Sequence, residues 1–423
     1  MNRHNIFSRV IKEKSLLNGS LFSAFSFINK GMNFIVLLIL ANVIYPEDYG
    51  FLSLYGTFVS LIAYFIALST EGYLSVSYFK EGEEGVKNTL SGIFVVSFLM
   101  LILYSVILLL FPHQIPKILN LPLGVLFIAV FVSFFTVFVN LNLDYIRIQE
   151  KVYFYGLLSC SNAFLNCIIT LLLIKVFLIS WEGRVYAQLL CSLIYGVCSI
   201  IFFYEKNLFV HPKWGYIKRM IFWGIPLIPH MATSFLRQGC DRYIINYFYS
   251  VEEVGLFSFG LNLANIIFMI GLGFNQSNSV EIYKVIADST MKCEQKIARL
   301  KKLQRFYWIL YFTFWFFITI LGYFIFPFFF PKYFAAMNYF VILSIYAFFF
   351  CVYLIYTNYL FYYGKTKDIM LITFFSSICH LALSLLFTRY SLYLTAVVYV
   401  IIQMFVSLMI MNKAKKCLIT NLK

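Results

Sequence analysis

Apolar stretches of about twenty residues, the length that crosses the hydrocarbon core of a bilayer, recur along this chain from near its start to near its end. They leave no room between them for a separate soluble domain. Bounded by charges, Pro and Gly, they predict helices at 16–41, 51–78, 89–111, 121–143, 153–176, 183–204, 220–247, 255–280, 304–326, 336–362, 368–388 and 390–411. The expected fold is all-α, a polytopic membrane protein of about 12 transmembrane helices in two six-helix bundles around a central lumen. Composition agrees: 62% of residues are hydrophobic and 12% charged, whereas a soluble domain is roughly a quarter charged. The first run follows a basic stretch, Met1 to Lys14, but is too long for a signal-peptide core and lacks a small-residue cleavage site, so it reads as a retained first span.

A net charge of +15 would suggest nucleic acid if the cations clustered on a folded surface, but topology accounts for most of them. With the N-terminus placed in the cytoplasm, 25 of the 33 Lys and Arg residues fall on inside segments. The outside loops then hold Lys117, Lys175, Arg184, Lys332 and Arg389. This asymmetry predicts both termini inside. The nine cysteines, including Cys160/Cys167 and Cys191/Cys198, have no metal or redox spacing and read as packing residues. No metal site and no cofactor is expected.

Two internal echoes organise the chain. Pro46-Glu47-Asp48-Tyr49-Gly50-Phe51-Leu52-Ser53 matches Val251-Glu252-Glu253-Val254-Gly255-Leu256-Phe257-Ser258 at an offset of 205, and Pro112-x-x-x-Pro116-Lys117 matches Pro327-x-x-x-Pro331-Lys332 at an offset of 215. Six helices are thus repeated. An even number per half gives both halves the same orientation, with the substrate path expected between them. The predicted divisions are an N-terminal six-helix bundle at 1–204, a cytoplasmic linker at 205–219, and a C-terminal six-helix bundle with a basic tail at 220–423. Loop composition alone, favouring Pro, Gly and acids, is the competing explanation.

Several spans carry polar faces. Ser23, Ser26, Lys30 and Asn33 lie three or four apart in helix one, with Asn29 beside them, and His230, Ser234, Arg237 and Asp241 repeat the spacing in helix seven. Helix two adds Thr57, Ser60, Tyr64 and Glu71, and helix five adds Ser159, Asn162, Asn166 and Thr170. Such faces cannot look at lipid without cost; they line a lumen or bond to neighbouring helices. Charges constrain more, because a mid-membrane Lys or Arg costs at least about 2.5 kcal/mol. Lys30 and Arg237 both fall ~21–23 Å from the cytoplasmic start of their helices, just past the midplane. Asp241, one turn from Arg237, is expected to pair with it, while Glu71 lies ~12 Å from the depth of Lys30, too far for contact. The surplus is positive, which suits a phosphate-bearing anion, although Lys30 is also compatible with snorkelling or with an acid from another helix. Pro226 and Pro229 disrupt the start of helix seven and are candidate hinges, or a static kink. His230 and His380 are candidate proton carriers or packing residues. The segment from Glu281 to Arg305 is expected as a basic helix at the inner headgroup surface.

Tyr45-Pro46-Glu47-Asp48-Tyr49-Gly50, Gly224-Ile225-Pro226-Leu227-Ile228, Asp241-Arg242-Tyr243-Ile244-Ile245 with Val254-Gly255, Phe330-Pro331-Lys332-Tyr333 and Gly364-Lys365-Thr366-Lys367 resemble, in order and spacing, the polysaccharide biosynthesis exporters, the Wzx-type O-antigen flippases within the multidrug/oligosaccharidyl-lipid/polysaccharide exporter superfamily. The resemblance covers nearly the whole chain. It implies alternating access, ion-gradient coupling, and export of an undecaprenyl-diphosphate-linked oligosaccharide across the bacterial inner membrane, with lipid-linked oligosaccharide, membrane lipid and a polysaccharide polymerase as expected partners and no nucleic acid. Carried over by position, Lys30, Arg237, Asp241 and Arg242 are lumen candidates; Lys30, Arg237 and Arg242 are expected to meet substrate, and Asp241, with Glu71 added as an intramembrane acid of helix two, is a candidate for ion coupling. Drug exporters of the superfamily typically carry an acid in the first helix, where this chain has Lys30; the alternative of a drug/cation antiporter is disfavoured by that departure. A membrane polysaccharide polymerase is the competing enzyme reading, but the expected outside loops are short and hold no paired acids or nucleophile arrangement.

Overall fold

The computed structural model describes the backbone of residues 3–422, and the side chains of all of these except 3–17, 19, 20, 30, 230, 232, 234, 238, 421 and 422. Among the described residues every regular element is helical. In chain order they are α1 Arg3–Val43, α2 Pro46–Ile66, α3 Tyr73–Leu110, α4 Gln114–Leu119, α5 Leu123–Ile148, α6 Val152–Lys175, α7 Glu182–Glu205, α8 Trp214–Gly224, α9 Ile228–Ser234, α10 Cys240–Phe248, α11 Val251–Ala287, α12 Cys293–Phe329, α13 Ala336–Tyr362, α14 Thr366–Thr388 and α15 Leu392–Leu422. Eleven helices among the described residues are long and apolar enough to cross a membrane. The chain is a multi-pass membrane protein.

The difference from twelve lies in helix seven. Its residues form a continuous helical run from Trp214 to Phe248, but the run passes through a 3-10 turn at Ile225–Leu227 and a π-helical turn at Phe235–Gly239. Pro226 lies inside the first of these and Pro229 is the second residue of α9. Neither ring supplies a backbone N–H, so the i to i−4 ladder is interrupted there, and no uninterrupted segment is long enough to span.

Two compact units are present. The first comprises Met1–Ile44 and Leu54–Ala232, and the second Tyr45–Ser53 and Thr233–Lys423. In the first, α1 packs on α6, α5 on α7, and α3 on α5 and α8. In the second, α13 is central, with α11, α12 and α15 against it, and α10 and α15 flank α14. Large apolar side chains remain exposed on α12, among them Phe306, Phe317, Phe324 and Phe328; on a membrane helix that surface belongs to lipid.

Helix starts follow the sequence. Pro46 opens α2 with Glu47 and Asp48 in its first turn, and Ser250 caps α11 by accepting from the Glu253 N–H at 3.2 Å, ahead of Glu252 and Glu253. Proline at the first position, an oxygen cap and early acids each favour an N-terminus. These are the two echoed motifs, and within the second unit they meet. A Cβ on Gly50 would stand 1.9 Å from the Val251 carbonyl oxygen, and one on Gly255 1.8 Å from that of Pro46. Only glycine permits that approach. Tyr49 completes the contact, its ring edge-on to Phe259 and its hydroxyl accepting from Asn262 at 2.8 Å. The prolines of the second echo occupy different settings: Pro116 lies in α4, Pro327 inside α12 and Pro331 in a 3-10 turn.

Two expectations are corrected. Helix two does not run through Glu71: α2 ends at Ile66, and Leu68 and Ser69 adopt left-handed backbone, φ 50 and 55. The break is held by the Thr70 hydroxyl, which donates to the Ala67 carbonyl at 2.5 Å, and by Gly224, where a Cβ would come within 2.4 Å of the Leu68 carbonyl oxygen. Glu71 therefore sits in the connector to α3. The basic stretch from Glu281 to Arg305 is not one surface helix but the end of α11 and the start of α12. Asp288 accepts from the Thr290 N–H at 2.8 Å and hydroxyl at 2.6 Å, an Asx turn that stops the first helix.

Candidate functional site

Each unit contains a cluster of polar side chains at sequence-predicted candidates. In the first, the polar face of α1 meets that of α6. Ser26 pairs with the Tyr155 hydroxyl at 2.9 Å, and the Asn29 amide donates to the Ser159 carbonyl at 2.9 Å. Further along α1, Asn33 donates to the Asn29 Oδ1 at 3.1 Å. The α6 stripe expected from spacing is there, and α5 and α7 close the other side. Together they surround a cavity of about 250 Å³ lined by Asn29, Asn33, Asn140, Asn162, Asn166, Gln188, Ser159, Ser192, Thr136 and Arg184, with a few apolar neighbours.

Among the described residues Arg184 is the charged member of that lining, although charge topology alone assigns it to an outside loop. The structure corrects this: α7 begins at Glu182, so Arg184 lies in its first turn with Gln188 and Cys191 following on the same face. The Nη1 group donates to Asn166 Oδ1 and, at 3.0 Å, to the Thr170 hydroxyl; Nη2 donates to Asn33 Oδ1 at 3.3 Å. These partners are neutral, so they orient the guanidinium without cancelling its charge. The signal missed is the i, i+4, i+7 spacing of Arg184, Gln188 and Cys191: the predicted helix at 183–204 already contains Arg184, but counting charges by loop sets it with the connector. At the α5 side of the cavity, Asn140 hydrogen-bonds Glu71 in the connector. Burial, and then the nearby Asp144 carboxylate, push the Glu71 carboxyl up to about 7, against the opposing Asn140 bond.

The second unit holds a closed cluster. Asp241 of α10 is fully buried, as is His380 of α14, and Asp241 Oδ2 lies 2.6 Å from His380 Nε2. A carboxylate oxygen and a ring nitrogen at that distance need a proton between them. The Ser384 hydroxyl donates to Asp241 Oδ1, and hydroxyl contacts continue through Thr388 at 3.4 Å to Thr395 of α15 at 2.9 Å. Tyr399 sets its ring edge-on to the imidazole, centroids 4.7 Å apart.

The expected pairing of Arg237 with Asp241 is not formed. The π-helical turn at Phe235–Gly239 closes on i+5, so residues four apart no longer stack across it. Arg237 instead donates through Nη2 to Gln403 Oε1 on α15, and Gln403 donates on to Ser407 at 3.4 Å. Arg242 donates from Nε to the Ser258 hydroxyl at 3.1 Å. The side chains of Lys30, His230 and Ser234 lie outside the described residues. Gln403 is not singled out by sequence, because a lone glutamine in an apolar run has no periodic partner.

Comparison with known proteins places this architecture. The chain is similar to a solved inward-facing multidrug resistance MATE family transporter of the MOP superfamily, with a TM-score of 0.73 over 93% of this chain and 95% of that one at 12% identity. To an outward-facing structure of a MATE family transporter the TM-score is 0.62, covering 95% of each chain at 13% identity. At such identity the likeness shows the fold. Two proteins of Haemophilus influenzae (strain ATCC 51907 / DSM 11121 / KW20 / Rd) are similar in sequence: "Lsg locus putative protein 1", 25% identical over 84% of this chain and 86% of that one, and an "Uncharacterized membrane protein", 26% identical over 83% and 85%. Residues 15–280 match the family described as polysaccharide biosynthesis protein. A helical membrane chain of this fold, matched to that family over more than half its length, belongs to the polysaccharide biosynthesis protein family.

Proposed function

We propose that the chain is a flippase that moves undecaprenyl-diphosphate-linked oligosaccharide repeat units, destined for O-antigen or a similar surface polysaccharide, across the bacterial inner membrane by alternating access. The observation that carries this reading is the setting of two cations: Arg184 in α7 and Arg237 in the π-helical turn are held by amides and a hydroxyl rather than by carboxylates. A guanidinium oriented by neutral partners keeps its charge available to an anion. No bond is made or broken in such a step, and the chain is read as a transporter and not an enzyme. Both termini are placed in the cytoplasm on the asymmetry of Lys and Arg. Asp241, with His380, is the site proposed for ion coupling, since occupancy by one proton changes its charge in a buried setting. The relation of Glu71 to the cavity through Asn140 makes it a second candidate. Lys30, Arg237 and Arg242 remain candidates for contact with the carrier's diphosphate, and Pro226 and Pro229 for hinge positions.

The drug/cation antiporter alternative has the fold on its side. The lining of the first cavity speaks against it, because Arg184 is its formal charge and a cation would be repelled. The test is to delete the gene in its host and measure the leaflet distribution of diphosphate-linked oligosaccharide. Accumulation on the cytoplasmic leaflet with surface glycan lost is the expected result, restored by the intact chain and not by Arg184→Ala. Normal outward-facing lipid-linked units with polymer absent would replace the flippase reading by the polymerase one.

A further inference from the structure

We infer that α14 and α15 form a site for one anionic phospholipid, its phosphate held by Lys413 and Lys416 and an acyl chain lying in the groove between the two helices. The inference is separate from the flippase reading. The helices pack against each other, and between them runs an apolar groove of about 570 Å³. Its wall on α14 is Leu371, Phe375 and Cys379, spaced four apart, and on α15 Ile401, Phe405 and Met409, spaced likewise. Phe375 and Phe405 are 61% and 52% exposed, whereas Ile372 and Ile402 in the same lining are at 8% and 6%. Two ridges thus stand above a recessed floor. Eight residues of rise on each helix give the groove a length of about 12 Å, within the ~15 Å of hydrocarbon that one leaflet supplies. Apolar contact alone selects no lipid, because every tail in a bilayer is as apolar as leucine. Selection has to come from the headgroup end.

The charges at one end of the groove supply it. The α15 face continues from Met409 to Lys413 and Lys416, four and seven residues on. The α14 face runs back from Ile372 to Asp368 and Lys365 at the same intervals. All three lysines are exposed. Lys413 reaches Asp368 at 3.2 Å and so links the two helices at this end. Asp368 is the one acid in the sequence of either helix, and three lysines against one carboxylate leave a positive surplus. An exposed ion pair is worth little, so a phosphate can share Lys413 with Asp368 at small cost. Basic pockets between helices at the cytoplasmic face of a membrane bind anionic headgroups, and the lysine end is the side read as cytoplasmic. The carrier phosphate is also an anion on a long chain. Bulk phospholipid outnumbers it, however, and mass action fills a site of modest affinity with the commoner lipid.

The test places the full chain in nanodiscs of phosphatidylethanolamine with a small fraction of phosphatidylglycerol that carries a diazirine in one acyl chain, and maps the photoadducts by mass spectrometry. The expected result is labelling concentrated on 371–379 and 401–409, competed by unlabelled phosphatidylglycerol and not by phosphatidylcholine. Replacing both lysines, Lys413→Gln with Lys416→Gln, is expected to lower labelling about 25-fold, from roughly fivefold per lysine; Lys413→Arg with Lys416→Arg is expected to keep it. Cys379→Trp, which fills the deep end from an exposed position, is expected to remove the adducts from the groove. Should the tryptophan variant fail to fold, the lysine variants and the competition on the wild-type chain decide. Equal competition by phosphatidylcholine, or adducts spread evenly over exposed apolar faces such as that of α12, would reduce the contact to ordinary bilayer lipid and overturn the site. Displacement by undecaprenyl phosphate at equal concentration would reassign the groove to the carrier and likewise overturn it. Photolabelling requires no export, so its outcome and that of the leaflet assay are read independently.

Discussion

The two polar clusters differ in how each handles a charge away from bulk water. In the first unit a cation is surrounded by neutral amides around a cavity, so its charge is oriented and left uncompensated. In the second an acid and a histidine are packed shut at 2.6 Å, with hydroxyls extending the chain of contacts. An open cluster can exchange its partner for a ligand. A closed one can change only by gaining or losing a proton. Binding is therefore expected to sit in the first and switching in the second, and this contrast can be broken by measurement.

The largest effect is expected for Asp241→Ala. Removing one partner of a fully buried pair leaves the other uncompensated, which costs ~3–5 kcal/mol. His380→Ala is expected to cost a similar amount, and the double variant little more than either single, because the pair acts as one unit. Chemical denaturation in mixed micelles would check this; a double variant that costs the sum of the singles would mean that the two side chains are not coupled. Asp241→Asn preserves shape, and export by it is expected to lose its dependence on external pH.

Arg184→Ala is expected to lower export about tenfold or more while costing only ~1–2 kcal/mol of stability, since the amides it leaves can turn to water in the cavity. Equal destabilisation by Arg184→Ala and Asp241→Ala would show that both clusters are structural and end the contrast.

A smaller effect is expected from Glu71, whose carboxyl is held at about 7 against an ordinary 4.5. The folded chain binds this proton more tightly than the unfolded chain. The stability linked to it is complete below pH 4.5 and is lost as pH rises through 7. Glu71→Gln should therefore flatten the fall of the thermal midpoint across that window; an unchanged slope would assign it to another group. Smallest of all is Ser159→Ala, expected within ~0.5 kcal/mol of wild type, because its hydroxyl makes no bond to lose. A loss above ~2 kcal/mol would reveal a bond that the folded chain does make there.

The outline of this fold is legible in the sequence because lipid imposes it: spans announce themselves by length and hydropathy, and the α1 and α6 polar stripes, read from spacing, do face each other. The illegible parts depend on pairings across the chain or on local departures from the α-helix. The partner of Asp241 lies 139 residues away, and no spacing rule reaches that far. Leu68 and Ser69 break helix two in left-handed backbone without a glycine to mark it. Arg184 falls inside both the predicted helix and α7, but its nearness to the helix end lets a count of loop charges claim it, and no spacing rule reveals its partners on α1 and α6.

The π-helical turn at Phe235–Gly239 has a consequence measured in codons. It uses one residue more than an α-helix would over the same stretch, and removing that residue would rotate the helix before the turn by about 100° relative to the helix after it. Arg237 would then stack over Asp241, the helix would neutralise itself, and His380 would be left facing an acid already occupied. A single-codon deletion, harmless in a surface loop, would here rewrite the electrostatics of the second unit without changing the charge of any residue.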